Sequence, residues 1–300
     1  MEITAKMVKD LREITGAGMM DCKKALIEAE GNMDAAVDIL RTKGLAALAK
    51  KAGRATNEGA VAAYVNESGS VGSLVEVNCE TDFVGINAAF LSFVNDLAAH
   101  VSTAAPADVS ALMAQTFSGR EHTVEQVLGE VVSKLGENMN ITRFTRREVS
   151  GTGAVGSYVH MGGKIGVLVE VAFSNAATAA RPEVAALLRD MAMQVAAAAP
   201  IAATRDEVST DVIEHELSIF RAQAAESGKP EAIQEKMAEG RIQKFYKEVC
   251  LTEQVFVKDP DITVSQLIAK ISKEVGDEIT LIAFERFALG ETSDTEPEAC

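Results

Sequence analysis

The chain has no tryptophan, only four cysteines, four histidines and six prolines in 300 residues, and its basic side chains are outnumbered by acidic ones. Each shortage removes a class of protein. Cys22, Cys79, Cys250 and Cys300 are scattered with no Cys-x-x-Cys pair, so neither a disulfide framework nor a zinc ribbon is expected. Cys79 ends an apolar run and reads as a small buried hydrophobe. The histidines do not cluster; His215-Glu216 begins a zinc-protease pattern, but Ile219 and Phe220 stand where the second histidine is needed. No glycine-rich phosphate loop and no Gly-x-Ser-x-Gly elbow is present, so the expectation is a non-enzyme with no catalytic residue, metal or resident cofactor. A net charge of −15 leaves no basic stripe for phosphates, which argues against direct nucleic-acid binding. An acidic face still suits a basic patch on a protein partner. No apolar run approaches a membrane span, and Met1 leads directly into a helical pattern, so the reading is no membrane partner, no signal peptide and a cytoplasmic location.

What is present is an alanine-rich composition, 47% hydrophobic and 24% charged, long enough for two or three folded units. Residues 1–54 read as three short helices. Met7, Val8, Leu11 and Ile14 share a face of the first, with Gly16 as its stop; Cys22, Ala25, Leu26 and Ala29 share one of the second, which Gly31 ends. Asn32 is the N-cap of the third, which turns Met33, Ala36, Val37 and Leu40 inward and stops at Gly44. So small a unit is marginal alone and suits docking. Met19 and Met20 lie in the Gly16-Ala17-Gly18 turn between the first two helices, where both cannot point inward, so at least one is expected to be exposed. Lys50, Lys51 and Arg54 then mark a basic linker.

An internal repeat follows. Residues 59–77 align without a gap on 153–171, an offset of 94, with Gly59, Ala60, Val61, Tyr64, Val65, Gly69, Gly72, Leu74, Val75, Glu76 and Val77 identical. Each copy opens with a hairpin, alternating Val61, Ala63 and Val65, then Val71, Val75 and Val77 (Ile165, Val167, Val169 and Val171 in the second). A helix, 87–101 or 183–199, covers the apolar face. The first copy gains a helix near 124–135 and a strand at 141–149, which makes the fold class α+β with antiparallel sheets. Between 209 and 249 the second copy carries an insertion. Ile213, Leu217, Phe220 and Ala224, then Ala238, Ile242, Phe245 and Val249, are spaced as the seam of an antiparallel coiled-coil hairpin, a candidate arm for a homodimer. Residues 291–300 read as a disordered acidic tail. The units are therefore 1–54, a first core subdomain 55–149, a second made of 150–208 and 250–290, the hairpin 209–249 and the tail.

The copies differ at one corner. After its second strand the first has Thr81-Asp82-Phe83-Val84, while the second has Ser174-Asn175-Ala176. Capping by Thr81 or Asp82, with Phe83 as a hydrophobic staple, is the ordinary reading. A fold requirement should appear in both copies, and this pair appears once, which favours function. His160 stands at the hairpin turn where the first copy has Asn66.

With these motifs the chain resembles the elongation factor Ts family, exchange factors for the translational GTPase elongation factor Tu. The resemblance rests on Leu11-Arg12-Glu13, Thr15 to Leu26, Glu76 to Val84, Gly156-Ser157-Tyr158 with His160, Ile165 to Val169, and Ser227 to Pro230 with Gly240-Arg241. It implies a ubiquitin-associated-like (UBA-like) three-helix domain, a two-subdomain core and an inserted coiled coil. It also implies that Arg12, Met19, Met20 and His160 contact elongation factor Tu in its GDP-bound and nucleotide-free forms. Thr81, Asp82, Phe83 and Val84 would disturb the Mg²⁺ site, with Asp82 and Phe83 intruding. The chain departs from members that end in an extra C-terminal helix. The alternative is a UBA-type adaptor without exchange activity.

Overall fold

Residues 3–15 and 17–291 are described by the structure, a computed structural model. The helix stop assigned to Gly16 and residues 292–300 of the acidic segment lie outside the described residues. Three amphipathic helices, α1 (Ala5–Thr15), α2 (Met19–Glu28) and α3 (Met33–Lys51), bury Val8, Leu11, Cys22, Ala25, Leu26 and Ala36 in one small cluster. Asn32 caps α3 as expected, its Oδ1 accepting the Ala35 N–H at 3.1 Å. Two expectations fail. Ile14 is 67% exposed rather than turned inward. Nor does α3 stop at Gly44, because this glycine serves a helix crossing. A Cβ on Gly44 would lie 3.2 Å from the Gly129 carbonyl group, and one on Gly129 would lie 3.0 Å from the backbone of Gly44. Two backbones meet where neither carries a side chain, which seats the three-helix unit on the core.

The first copy runs β1 (Glu58–Val65), β2 (Val71–Cys79), α4 (Asp82–Gly85), α5 (Ala88–Ala104), α6 (Val109–Ala114), α7 (Val124–Leu135) and β3 (Met139–Glu148). The second runs β4 (Gly153–His160), β5 (Ile165–Ala172), α8 (Pro182–Ala198), then α9 (Thr210–Ala225) and α10 (Glu231–Val249). It ends with the ribbon β6 (Val255–Phe256) and β7 (Asp259–Thr263), then α11 (Val264–Val275) and β8 (Thr280–Ala288). The two main sheets are antiparallel, ordered β1-β2-β3 and β4-β5-β8.

The duplication reaches further than the sequence alignment. α5 and α8 start and finish at the same offset, and each closes on a left-handed alanine, Ala105 (φ 45°) and Ala199 (φ 42°), ahead of a proline. The closing helix and strand are not an addition to the first copy. α7 and α11 begin with the same capping box, Thr123 with Gln126 and Thr263 with Gln266, and both end on left-handed glycines, Gly136 and Gly276. From 123 to 263 the offset is 140, an excess of 46 over 94, most of which is the 41-residue insertion 209–249.

That insertion is a helical hairpin of α9 and α10. Ala224, Ala238 and Ile242 are buried along it, Arg221 pairs with Glu235 at 2.7 Å, and Phe245 and Val249 join Ala202, Val208 and Cys250 at its base. Among the described residues no helix is long and apolar enough to cross a membrane.

Each sheet is covered on one face by its own helices. Val75, Val77, Ala60 and Ala62 meet Phe90, Leu97 and Leu128, while Val167, Val169 and Val171 meet Leu187, Met191 and Leu267. The opposite faces press against one another through Val61, Leu74, Val155, Leu168 and Phe287. The alternating face Val61, Ala63 and Val65 of β1 therefore faces the other sheet and not a helix, which corrects the sequence reading. β2 is buried along its whole length for the same reason. A near-twofold relation governs this contact. A Cβ on Gly72 would come within 2.6 Å of Val155, and one on Gly166 within 2.4 Å of Val61, residues related by the repeat. The Val61 N–H donates to the Gly163 carbonyl and the Val155 N–H to the Gly69 carbonyl, both at 2.7 Å.

A side chain at either glycine must displace the facing valine. Gly72→Val or Gly166→Val is expected to destabilise the fold by about 1–3 kcal/mol, as overpacking does, and urea titration measures it. Gly240→Ala, in α10 with nothing within 4 Å of the new Cβ, is the control and should be neutral or stabilising.

Candidate functional site

The chain leaves β2 at Cys79 and turns a corner that is tied down before it displays anything. Glu137 holds Thr81 twice: the Thr81 N–H donates to Oε2 at 3.0 Å and its hydroxyl to Oε1 at 2.6 Å. Thr81 in turn caps α4, its hydroxyl oxygen facing the Val84 N–H at 3.5 Å. Beside it, Glu80 accepts from the Asn138 N–H at 2.5 Å and from Arg54 at 3.3 Å. The Asn138 N–H, aided by the Arg54 guanidinium, holds the Glu80 carboxyl below the usual carboxylate range. Burial, with the charge of Glu137 adding to it, pushes the Cys79 thiol up to about 12, so at neutral pH it is not a thiolate nucleophile. Burial raises Cys22 and Cys250 as well.

On this braced turn the four expected site residues part company. Thr81 is the half-buried cap, while Asp82 is exposed and Phe83 is 80% exposed. Phe83 does not fold back as a staple; the capping half of the ordinary reading holds and the packing half fails. Val84 is only 8% exposed and belongs to the core of the first copy. It anchors the turn beneath the exposed pair and keeps little surface of its own. Ile86 was missed. It closes the turn with 74% of its surface exposed. Its position just before the Asn87 cap of α5 suggests a residue that packs on the helix, which hid it from sequence reasoning.

The second copy shows which part of the corner the fold requires. Asp277 there accepts from the Ser174 N–H at 3.1 Å, the Asn175 N–H at 2.9 Å and the Thr178 hydroxyl at 2.7 Å. Those donors, the Thr178 hydroxyl foremost, hold its carboxyl below the usual range. Asp277 follows Gly276 as Glu137 follows Gly136, so the carboxylate brace is duplicated. The turn it holds, Ala176–Ala180, carries no large apolar side chain. The brace belongs to the scaffold, and the aromatic is extra.

The remaining expected residues lie around α5. Arg12 is exposed on α1, and Met19 (58%) and Met20 (61%) are both exposed on the first turn of α2, not in the turn before it. His160 is half-buried at the end of β4, its Nδ1 2.9 Å from the Tyr158 hydroxyl, next to the exposed Met161. Thr15 at the end of α1 shares a cleft with Ala89, Ser92 and Phe93 of α5, and the turn at Val159, Gly162 and Gly163 shares another with Leu91, Val94 and Asn95. The two clefts use different faces of α5, and the corner stands at its start. These residues form separate points around one helix and not a single pocket. Among the described residues no group of three His, Cys, Asp or Glu side chains is placed to hold a metal.

The geometry defines a class: a doubled α+β scaffold with a three-helix unit seated on it and a helical hairpin inserted in its second copy. Comparison with known proteins narrows it. A family model described as "Elongation factor TS" matches residues 80–291. The chain is 52% identical over 292 residues to elongation factor Ts of Trichlorobacter lovleyi, covering 97% of this chain and 94% of the relative. It is 53% identical over 291 residues to that of Syntrophotalea carbinolica, with 97% and 94% covered. To that of Clostridium novyi it is 48% identical over 297 residues, with 99% and 95% covered. The chain belongs to the elongation factor Ts family, a family of translation elongation factors.

The Glu80 brace has a pH signature. Because its folded-state pKa is depressed, its contribution is complete above the unfolded value of about 4.3 and is lost as pH falls through the folded one. Glu80→Gln should lower the urea midpoint at pH 7, and the gap from wild type should close as pH is taken below the carboxylate range.

Proposed function

We propose that this chain binds elongation factor Tu carrying GDP and promotes GDP release and exchange for GTP by disturbing the Mg²⁺ and phosphate site. The observation that carries this reading is Phe83, 80% exposed on a turn whose backbone is pinned from two sides, in a member of this family. A GTPase holds GDP through a phosphate-cradling loop and a bridging Mg²⁺, contacts that are strong because they are charge-assisted and dry. A factor that speeds release must bind the nucleotide-free state better than the loaded one, and nucleotide then weakens the factor equally. No covalent bond is made or broken, so the chain is not an enzyme in its own right. A coupling of several kcal/mol is needed, since roughly 1.4 kcal/mol gives each factor of ten. Phe83 supplies a wedge: an aromatic anchor in a desolvated pocket contributes ~2 kcal/mol or more. Asp82 competes for groups that orient the Mg²⁺ shell.

Arg12, Met19 and Met20 on the three-helix unit, taken as a UBA-like domain of residues 1–54, grip a second point, and His160 a third. The core subdomains 55–149 and 150–208 with 250–290 hold these points apart. The 209–249 hairpin, as a coiled coil, remains free for pairing with a second copy.

Phe83→Ala should slow release of fluorescent GDP from elongation factor Tu by at least tenfold in stopped flow while leaving thermal unfolding unchanged. Unaltered release would remove the wedge. Asp82→Ala should also slow release, and excess EDTA should largely erase its deficit; a deficit that persists in EDTA rules out action through the metal alone.

A further inference from the structure

Successive residues of a helical turn are about 100° apart around its axis, so the order of side chains around α4 differs from their order in sequence. With Asp82 at the origin, Phe83 lies at roughly 100°, Val84 at roughly 200° and Ile86 at roughly 40°. Ile86 therefore falls between Asp82 and Phe83. Its backbone continues the turn, with φ −100° and ψ 1° and its N–H donating to the Asp82 carbonyl at 3.1 Å. Val84, on the far side, is the buried anchor. Residues three apart on a helix are side-by-side neighbours, so Phe83 and Ile86, 80% and 74% exposed, form one apolar ridge bordered by the Asp82 carboxylate.

We infer that Ile86 is a contact residue of the exchange site: a surface that receives Asp82 and Phe83 together also meets the exposed side chain that projects between them one turn further along. The inference rests on the proposed exchange reading and makes its partner more specific. The seat on the GTPase is an apolar groove wide enough for two neighbouring side chains, with a polar edge where Asp82 arrives. Ile86 fills the gap through which water would otherwise reach the carboxylate, a shielding that strengthens polar contacts inside an interface.

The test compares Ile86→Ser, Ile86→Leu, Phe83→Ala and the Phe83→Ala/Ile86→Ser double variant in GDP release from elongation factor Tu, over a range of factor concentrations. Ile86→Ser should lower the release rate per unit of factor about tenfold, the loss expected for one well-covered aliphatic side chain, and Ile86→Leu should restore most of it. The double variant should lose less than the product of the two single losses, because both side chains enter one seat. Circular dichroism melts should coincide, since Ile86 supports no core. If Phe83→Ala is slow and Ile86→Ser lies within twofold of wild type, the ridge is refuted and the exchange reading stands. Strictly multiplicative losses also refute a shared seat. If wild type itself does not speed release, the exchange reading falls; if it does and neither single variant slows release, the corner is not the lever and the ridge is refuted with it.

Discussion

The contact between the two sheets is the constraint on which the remaining geometry depends. Two copies of one unit meet through faces that each lack a side chain at one place, and each vacancy takes the valine and leucine of the other copy. Gly72 admits Val155 and Leu168, and Gly166 admits Val61 and Leu74. The same relation sets the paired backbone hydrogen bonds from Val61 and Val155. A latch at the edge strengthens the joint. Glu76, fully buried, accepts from Arg143 at 2.7 Å and from the Gly290 N–H at 3.0 Å, and the Arg143 guanidinium lies 4.1 Å over the ring of Phe287. Removing one partner would strand a charge in the interior, a loss larger than the net worth of the pair. Glu291, the first residue of the segment read as a disordered tail, also pairs with Arg143 and Arg286 and so belongs to this joint.

Duplication separates what the scaffold needs from what it presents. Glu137 and Asp277 brace the two corners in the same way, because the turn after β2 or β5 exposes backbone N–H groups that need an acceptor. Having met that need twice, the chain places a phenylalanine and an isoleucine on one corner and alanines on the other. Large apolar side chains in solvent do nothing for the stability of their own fold. Their presence on one copy alone is a reason that does not depend on family likeness for looking to this corner for recognition.

How much of this was legible in the sequence follows from the range of the forces involved. Local chemistry was readable: the Asn32 cap, the helical stripes in the N-terminal unit, the hairpins of the repeat and the seam from Ala224 to Ile242. Long-range packing was not. Gly44 looks like a helix stop because its reason for being glycine is Gly129, some eighty positions away in the chain. Val61, Ala63 and Val65 looked like the face beneath a helix because alternation shows that a face is buried without showing what buries it. A helix at 262–271 and a strand at 278–287 were readable as elements, but that they repeat α7 and β3 was hidden, because the inserted hairpin supplies most of a change in offset from 94 to 140. At the corner, Phe83 and Asp82 stood out by contrast with the second copy. That Val84 is buried and Ile86 exposed was not readable, because which residues of a four-residue turn point inward is set by Thr81 and its tie to Glu137, a contact across 56 positions.

The placement of α5 connects scaffold to site. It is buried against β1 and β2 through Phe90, Val94, Leu97 and Val101, so it moves with the first sheet and, through the sheet joint, with the second. Thr15 of the N-terminal unit borders a cleft with Ala89 and Ser92, the β4–β5 turn borders another with Leu91 and Asn95, and α4 leads directly into α5. Separate points of contact held to one rigid helix cannot adjust independently to a partner. The sheet joint thus fixes the spacing of these surface points relative to one another.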